Sequence, residues 1–237
     1  MVMKALLNIC ANEYDIILVQ EPWWGDIGGG KKGPTSGGMG WYPIPPVAVV
    51  PNDRVPRVVT YVKLRGDFRV KLRSDLLQDL DAQVLQVTQE PFRDTIIVNI
   101  YNRVEAGLPE GERSAGEWLT RCRLPPYLPV TISGDWNLHH PLWSTDPNHQ
   151  RPSNAAESLV EWMGTNGFQM LNERGEETYV SHDGRFMSVL DLTWANHVAT
   201  NEGSVRGWCV RPELACGSDH LAISWAVDYG AELVDNC

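Results

Sequence analysis

The sequence predicts an α+β fold in which two β-sheets pack together with a few helices outside. Three observations carry this reading. Strand-length apolar runs recur along the whole chain, helical patterning interrupts them at only a few points, and no repeat, low-complexity tract or linker marks a second domain. With 237 residues, 43% of them hydrophobic, the chain can bury a sizeable core, so one domain over residues 1–237 is expected.

The first element is a helix in "MVMKALLNICANEYD", where Val2, Leu6 and Ile9 share one face and no N-cap precedes them. The stretch therefore reads as mid-helix, with its natural beginning upstream. Residues 15–20, "DIILVQ", form an apolar run that suits a strand buried on both faces and ends at Gln20-Glu21 before Pro22. Residues 25–46 are rich in Gly and Pro, carry Lys31 and Lys32, and read as a long exposed loop. Further strands are expected at 58–64, 82–89, 95–101, 130–133, 186–194, 208–211 and 221–227. Of two helical stretches, 111–121 is weakly patterned, whereas Ser153 to Met163 has a capping Ser or Asn, an apolar stripe and a stop at Gly164.

Thirty acids against twenty bases give a net charge of -10, which disfavours a nonspecific nucleic-acid binder but leaves room for a local basic patch or a metal site. The five cysteines are odd in number, scattered and without CxxC, so they read as reduced intracellular thiols rather than a disulfide framework or zinc knuckle. No apolar run approaches the roughly 18 residues of a membrane span, and no cleavage site follows the first helix. A soluble, unsecreted chain with no membrane association is expected.

Polar residues gather where strands end: Gln20-Glu21-Pro22, Asn99-Ile-Tyr101-Asn102, Gly134-Asp135-Trp-Asn137 and Gly217-Ser218-Asp219-His220. Singly, each reads as turn chemistry. Asp191 differs, because Val189, Leu190 and Leu192 surround it; an acid in such a strand needs a partner, and His220 is available. Glu21 and Asp135 offer hard oxygen ligands that suit magnesium rather than zinc. Asp135 and Asn137, two apart on an extended segment, would place a proton acceptor and an amide donor at one reacting centre, a phosphodiesterase layout. His139 and His140 diverge on such a segment and lack further ligands, so one is expected to order the loop while the other is exposed, with Trp143 beneath.

The ordered set QEP, NIY, GDWN, DLTWA and SDH, which spans nearly the whole chain, resembles the endonuclease/exonuclease/phosphatase superfamily. That resemblance implies a four-layered α/β sandwich, two mainly antiparallel sheets packed face to face with helices outside. Within it, "DIILVQEPWWG", "GDWNLHHPLWS" and "GSDHLAISW" look most like the endonuclease domain of non-LTR (LINE-type) retrotransposons. The resemblance implies a monomeric, Mg2+-dependent enzyme, Mn2+ being the alternative, that nicks double-stranded DNA in the nucleus. The 3′-hydroxyl and 5′-phosphate ends would prime an associated reverse transcriptase domain. By the same resemblance Glu21 would hold the metal with Asp219 close by, and Tyr101 would bond the scissile phosphate. Asp135 and Asn137 would orient or deprotonate the attacking water and steady the phosphate. His220 would meet the charge developing on phosphorus, with Asp191 fixing its ring. Asn99, Asn102 and Ser218, at the same strand ends, are expected to bind substrate.

The family also has a first strand, carrying an asparagine at the metal and phosphate site, ahead of its first helix. In this sequence that strand is expected to be missing, which would leave one sheet position uncovered. Two other readings stand beside the nuclease. One is a phosphatase of the same superfamily acting on inositol phosphates or phospholipids, since Lys31, Lys32, Arg54 and Arg57 suit a polyphosphorylated head group as well as a DNA backbone. The other is an inactive truncated fragment. Motif wording and the lack of an anchor or lipidation signal favour DNA.

Overall fold

In the computed structural model, residues 2–38, 40–48, 50, 54–66, 68–103, 114–201 and 204–228 are described. The apolar run expected as a strand is β1 (Ile16–Gln20), and its alternation feeds two layers. Ile17 and Val19 pack with Leu7 and Cys10 at the end of helix α1 (Val2–Ile9), while Ile16 and Leu18 pack the opposite way, against Val87 and Ile97. β1 pairs antiparallel with β5 (Val58–Lys63), and β5 with β4 (Trp41–Ile44), giving a three-stranded sheet in the order β1-β5-β4.

The second sheet has six strands in the order β10 (Phe168–Met170), β13 (Asp191–Asn196), β9 (Val130–Asp135), β8 (Thr95–Tyr101), β7 (Ala82–Thr88) and β6 (Arg69–Leu72). β8 and β9 run parallel, joined by a connection that contains α2 (Ala115–Leu119), and the remaining pairs in this sheet are antiparallel. The outer face of this sheet, with Ile96, Val98 and Ile132, meets Leu119 of α2 and Leu159 and Met163 of α3 (Asn154–Thr165). Burying a side chain of that size contributes about 1.5–3 kcal/mol. The layers are therefore α1, three-stranded sheet, six-stranded sheet, and α2 with α3, the four-layered α/β sandwich the resemblance implies.

A seam of buried amides crosses the interface between the sheets. Thr60 Oγ1 donates to Gln83 Oε1 at 2.8 Å, Asn99 Nδ2 lies 3.3 Å from the same oxygen, and Gln20 Nε2 donates to Asn99 Oδ1 at 2.7 Å. Buried polar groups need such partners. The seam pins the last residue of β1 to β8 and so fixes where Glu21 emerges.

β1 is only partly buried along its whole length. Both faces are packed, but among the described residues one edge has no strand beside it. That edge lines a cavity of about 1260 Å3, which it shares with β15 (Ala222–Val227), a strand paired antiparallel with β14 (Val205–Arg211).

Several expectations need correction. The segment 25–46 is not one irregular loop: β2 (Trp24–Gly28) and β3 (Lys31–Pro34) form a hairpin across Gly29-Gly30, and β4 follows. Both turn glycines have positive φ, and the flanking Gly and Lys residues conceal the alternation that usually marks strands. The strand expected over 186–194 is two, because β12 (Met187–Ser188) pairs with β11 (Tyr179–Val180) while β13 starts at Asp191. Helix α3, capped by Ser153 accepting from the Ala156 N–H, runs one residue beyond Gly164 and turns off through Gly167 at φ 71°. The strand expected to stop at Ser133 continues to Asp135, since Gly134 admits the close approach of β8: a Cβ there would sit 1.9 Å from the Ile100 carbonyl oxygen. The short helix α4 (His197–Asn201), β6 and β10 were not expected, and the part of the 111–121 stretch before 114 lies outside the described residues. No helix among the described residues is long and apolar enough to cross a membrane.

Candidate active site

The register of three adjacent strands assembles one wall of a cleft. Tyr101 at the end of β8 lies opposite Asp135 at the end of β9, and Asp135 lies opposite Asp191 at the start of β13. Cross-strand neighbours share a face, so residues separated by 34 and 56 positions in sequence come to one spot. The loop before β15 joins them through Tyr179, which bridges to His220, while the Leu221 N–H donates to the Thr178 carbonyl at 2.7 Å.

His220 Nδ1 lies 2.9 Å from Asp191 Oδ2, the partnership expected for an acid in an apolar strand. Asp191 is itself held by its N–H, which donates to Thr178 Oγ1 at 2.9 Å. Burial opposes charging of His220, but the hydrogen bond and charge of Asp191, with Asp135 and Asp219 adding, raise its pKa to about 9. The ring is therefore charged at neutral pH, and with Nδ1 engaged, Nε2 is its remaining donor. Asp135 is 4% exposed; burial first, and the neighbouring Asp191 second, push its carboxyl up to about 7 despite His220 and Asn137.

Asn137 meets Asp135 by a different route from the extended geometry expected. Its φ is 50°, and this left-handed turn brings its backbone N–H to Asp135 Oδ1 at 3.0 Å and its Nδ2 to Asp135 Oδ2 at 2.9 Å. Nδ2 also donates to the Asn102 carbonyl at 3.1 Å. Both amide hydrogens are thus engaged, and Asn137 holds the Asp135 carboxylate in place.

Glu21 stands on the other wall, where β1 ends, with φ 48° and a side chain about half exposed. Arg57 Nη2 lies 2.9 Å from its Oε1 and 3.5 Å from the Tyr101 hydroxyl, and the guanidinium sits 5.0 Å over the Tyr101 ring. Burial and then the Glu21 charge raise the Tyr101 pKa, with Arg57 opposing. Asp219 is exposed at the cleft edge, where its carbonyl accepts from the Val180 N–H at 2.8 Å. Ser218 accepts from the His220 N–H at 3.1 Å, which shapes the turn that carries the histidine.

Two expected substrate contacts are elsewhere. Asn99 is fully buried in the seam between the sheets, and Asn102 is 4% exposed, donating to the Trp136 carbonyl at 2.9 Å and accepting from the Gly116 N–H at 2.9 Å. Both side chains are spent on internal hydrogen bonds that hold strands and α2 in place. His140 orders its loop by accepting from the Leu142 N–H at 2.9 Å, and the exposed His139 stacks on His149 at 3.8 Å. Trp143 is fully buried beneath. Thr178 and Tyr179 are not singled out by the sequence, since a Thr-Tyr pair at the start of a two-residue strand carries no distinguishing pattern.

Asp135, Asp191 and His220 offer ligand atoms within 4.8 Å of one another. One Asp191 oxygen and His220 Nδ1 are committed to each other, so the oxygens left in this cluster come from Asp135 and Asp191, and Glu21 and Asp219 line the same cavity. Carboxylate oxygens of this kind suit a hard divalent ion. Two buried acids in register repel, and a cation relieves that repulsion.

Two packed sheets with an Asp, Asn and His cleft at their strand ends define the endonuclease/exonuclease/phosphatase class, whose nucleases hydrolyse phosphodiesters. Within that class the chain belongs to the endonuclease-reverse transcriptase family, whose model matches residues 95–224. No curated protein sequence matches it. Among solved structures it is similar to the endonuclease domain of TRAS1, a telomere-specific non-LTR retrotransposon, with TM-score 0.73 and 20% identity over 96% of this chain and 92% of that one. The AP endonuclease LMAP from Leishmania major gives 0.64 and 15% over 95% and 82%. The APE2 catalytic domain of Xenopus laevis gives 0.62 and 14% over 98% and 90%. These likenesses are likenesses of fold.

Proposed function

We propose that this chain is a magnesium-dependent endonuclease that nicks double-stranded DNA in the nucleus, as the endonuclease of a non-LTR retrotransposon whose reverse transcriptase extends the nick. The observation that carries the proposal is the buried Asp135 beside the Asp191–His220 pair, 2.9 Å apart, at the mouth of a cleft.

Asp135, whose pKa of about 7 matches neutral pH, accepts the proton of the attacking water. Asn137 holds the acid in the orientation that proton transfer needs. His220, charged and oriented by Asp191, donates from Nε2 to a phosphate oxygen and offsets the negative charge that grows on phosphorus. The Tyr101 hydroxyl donates to the same phosphate. Glu21 and Asp219 would hold a divalent cation, Mg2+ or alternatively Mn2+, which would supply further positive charge against the phosphate oxygens. Water adds to phosphorus, its proton passing to Asp135, and the bond to the 3′ oxygen breaks; that oxygen takes a proton from solvent, leaving 3′-hydroxyl and 5′-phosphate ends.

Incubation of supercoiled plasmid with the full chain and Mg2+ is expected to give nicked circles, and Asp135→Ala to give none. Phosphate release from inositol phosphates with no nicking would replace the proposal with a phosphatase, and inactivity of both chains on both substrates would leave a folded but inactive domain.

A further inference from the structure

We infer that Arg57 is a substrate-binding residue that exchanges partners: it holds Glu21 until a divalent cation takes that carboxylate, and then grips a DNA phosphate beside Tyr101. The inference rests on the nuclease reading and adds to it a residue and a coupling between metal and DNA.

Arg57 is placed by backbone rather than by chance. Its N–H donates to the Leu80 carbonyl and its carbonyl accepts from the Glu21 N–H, both at 2.8 Å, so its Cα is fixed beside the last turn of β1. The side chain then leans across Tyr101 at 5.0 Å and meets Glu21 at 2.9 Å. As a structural ion pair this would contribute little, because both side chains are well exposed, at 38% and 54%, and such pairs are worth about 0–1 kcal/mol. The guanidinium is also under-used. Nε is buried without a hydrogen-bond partner, in a group whose planar fork matches phosphate oxygens two at a time.

A divalent cation at Glu21 competes with Arg57 for the charge of one carboxylate and so weakens the single contact to Oε1. The cation therefore frees a guanidinium already stacked on the tyrosine that faces the phosphate. The freed fork finds an anion in the DNA backbone, with less ordering cost than a surface arginine. Metal and DNA should then bind cooperatively through Arg57, and by linkage each should tighten the other equally.

The test compares the full chain, Arg57→Ala and Arg57→Lys at one ionic strength, with thermal melting to confirm that all three fold. Binding of a short DNA duplex is followed by fluorescence anisotropy with and without Ca2+, used as a probe cation while Mg2+ drives nicking in parallel. The wild-type chain is expected to bind the duplex about fivefold or more tightly with the cation, Arg57→Lys to keep part of that gain, and Arg57→Ala to lose it. Calorimetry without DNA is expected to show the cation binding Arg57→Ala at least as tightly as wild type, because a competitor has gone. Weaker cation binding by Arg57→Ala, or an unchanged gain in its DNA affinity, would overturn the exchange while leaving wild-type nicking in place. A wild-type chain that neither binds nor nicks DNA would overturn the nuclease reading and the exchange together.

Discussion

The two walls of the cleft are built on different terms. On the six-stranded sheet, Asp135 and Asp191 lie opposite each other on adjacent strands, are almost fully buried, and are held by hydrogen bonds to Asn137, Thr178 and His220. On the three-stranded sheet, Glu21 follows an edge strand, is half exposed, and has an ion pair with Arg57 as its closest tie. One wall is preorganised before any ligand arrives; the other presents groups that can change partners. The contrast teaches that, on the proposed function, the proton-handling and charge-stabilising groups would be set by the fold, whereas the groups for metal and substrate would be set by binding.

The sharpest way to break the first wall is Asp135→Asn, which keeps its shape and removes its proton acceptor. Nicking should fall by about 10³-fold, checked by initial rates on supercoiled DNA. The same variant should alter the pH dependence of stability. In the folded chain Asp135 holds its proton up to about 7, against an ordinary value of 3.8, so without divalent cations the native state binds the extra proton between about pH 4 and pH 7 and loses stability as pH rises through that window. Asp135→Asn should flatten the decline in a pH series of thermal melts.

Next in size is Asp191→Asn, expected to lower the rate about 10²-fold by leaving His220 unanchored and less basic. His220 has a folded pKa of about 9 against 6.5, so its stabilising contribution is complete below pH 6.5 and fades as pH rises through 9. Melting curves across that range should lose this upper slope in Asp191→Asn.

Asn99→Ala sharpens the comparison from the interior. It would orphan the Gln20 amide in the seam at a cost of about 1–3 kcal/mol. For a chain of this size the Tm should fall by about 5 °C. Because the seam fixes the end of β1, the change should weaken cation binding at Glu21 more than it disturbs the Asp191–His220 pair. Calorimetry against the NMR titration of His220 separates the two effects.

Much of this was legible in the sequence because alternation and strand-end chemistry are local. The apolar run of β1 announced two packed faces, and QEP, GDWN and SDH marked where strands end. What the sequence hides depends on register. Arg57 reads only as one of four basic residues suited to phosphate until Gln20 pairs with Val58, which sets residues 21 and 57 side by side. Asn99 shares its face of β8 with Tyr101 and so resembled a site residue, but it sits two positions deeper, under β1 and β5. The left-handed turn at Asn137, which brings both its N–H and its amide to Asp135, is not legible from spacing alone.

Among the described residues, the non-glycine positions with positive φ are Glu21, Asn137 and Cys216, and all three lie in the turns that bring strand ends to the cleft. A side chain in that conformation costs of order 1 kcal/mol relative to glycine. Glu21→Gly should therefore melt slightly higher than the parent while losing a carboxylate at the cleft. Selection for thermal robustness alone would favour such changes, and would wear away the functional end of this domain while leaving its core untouched.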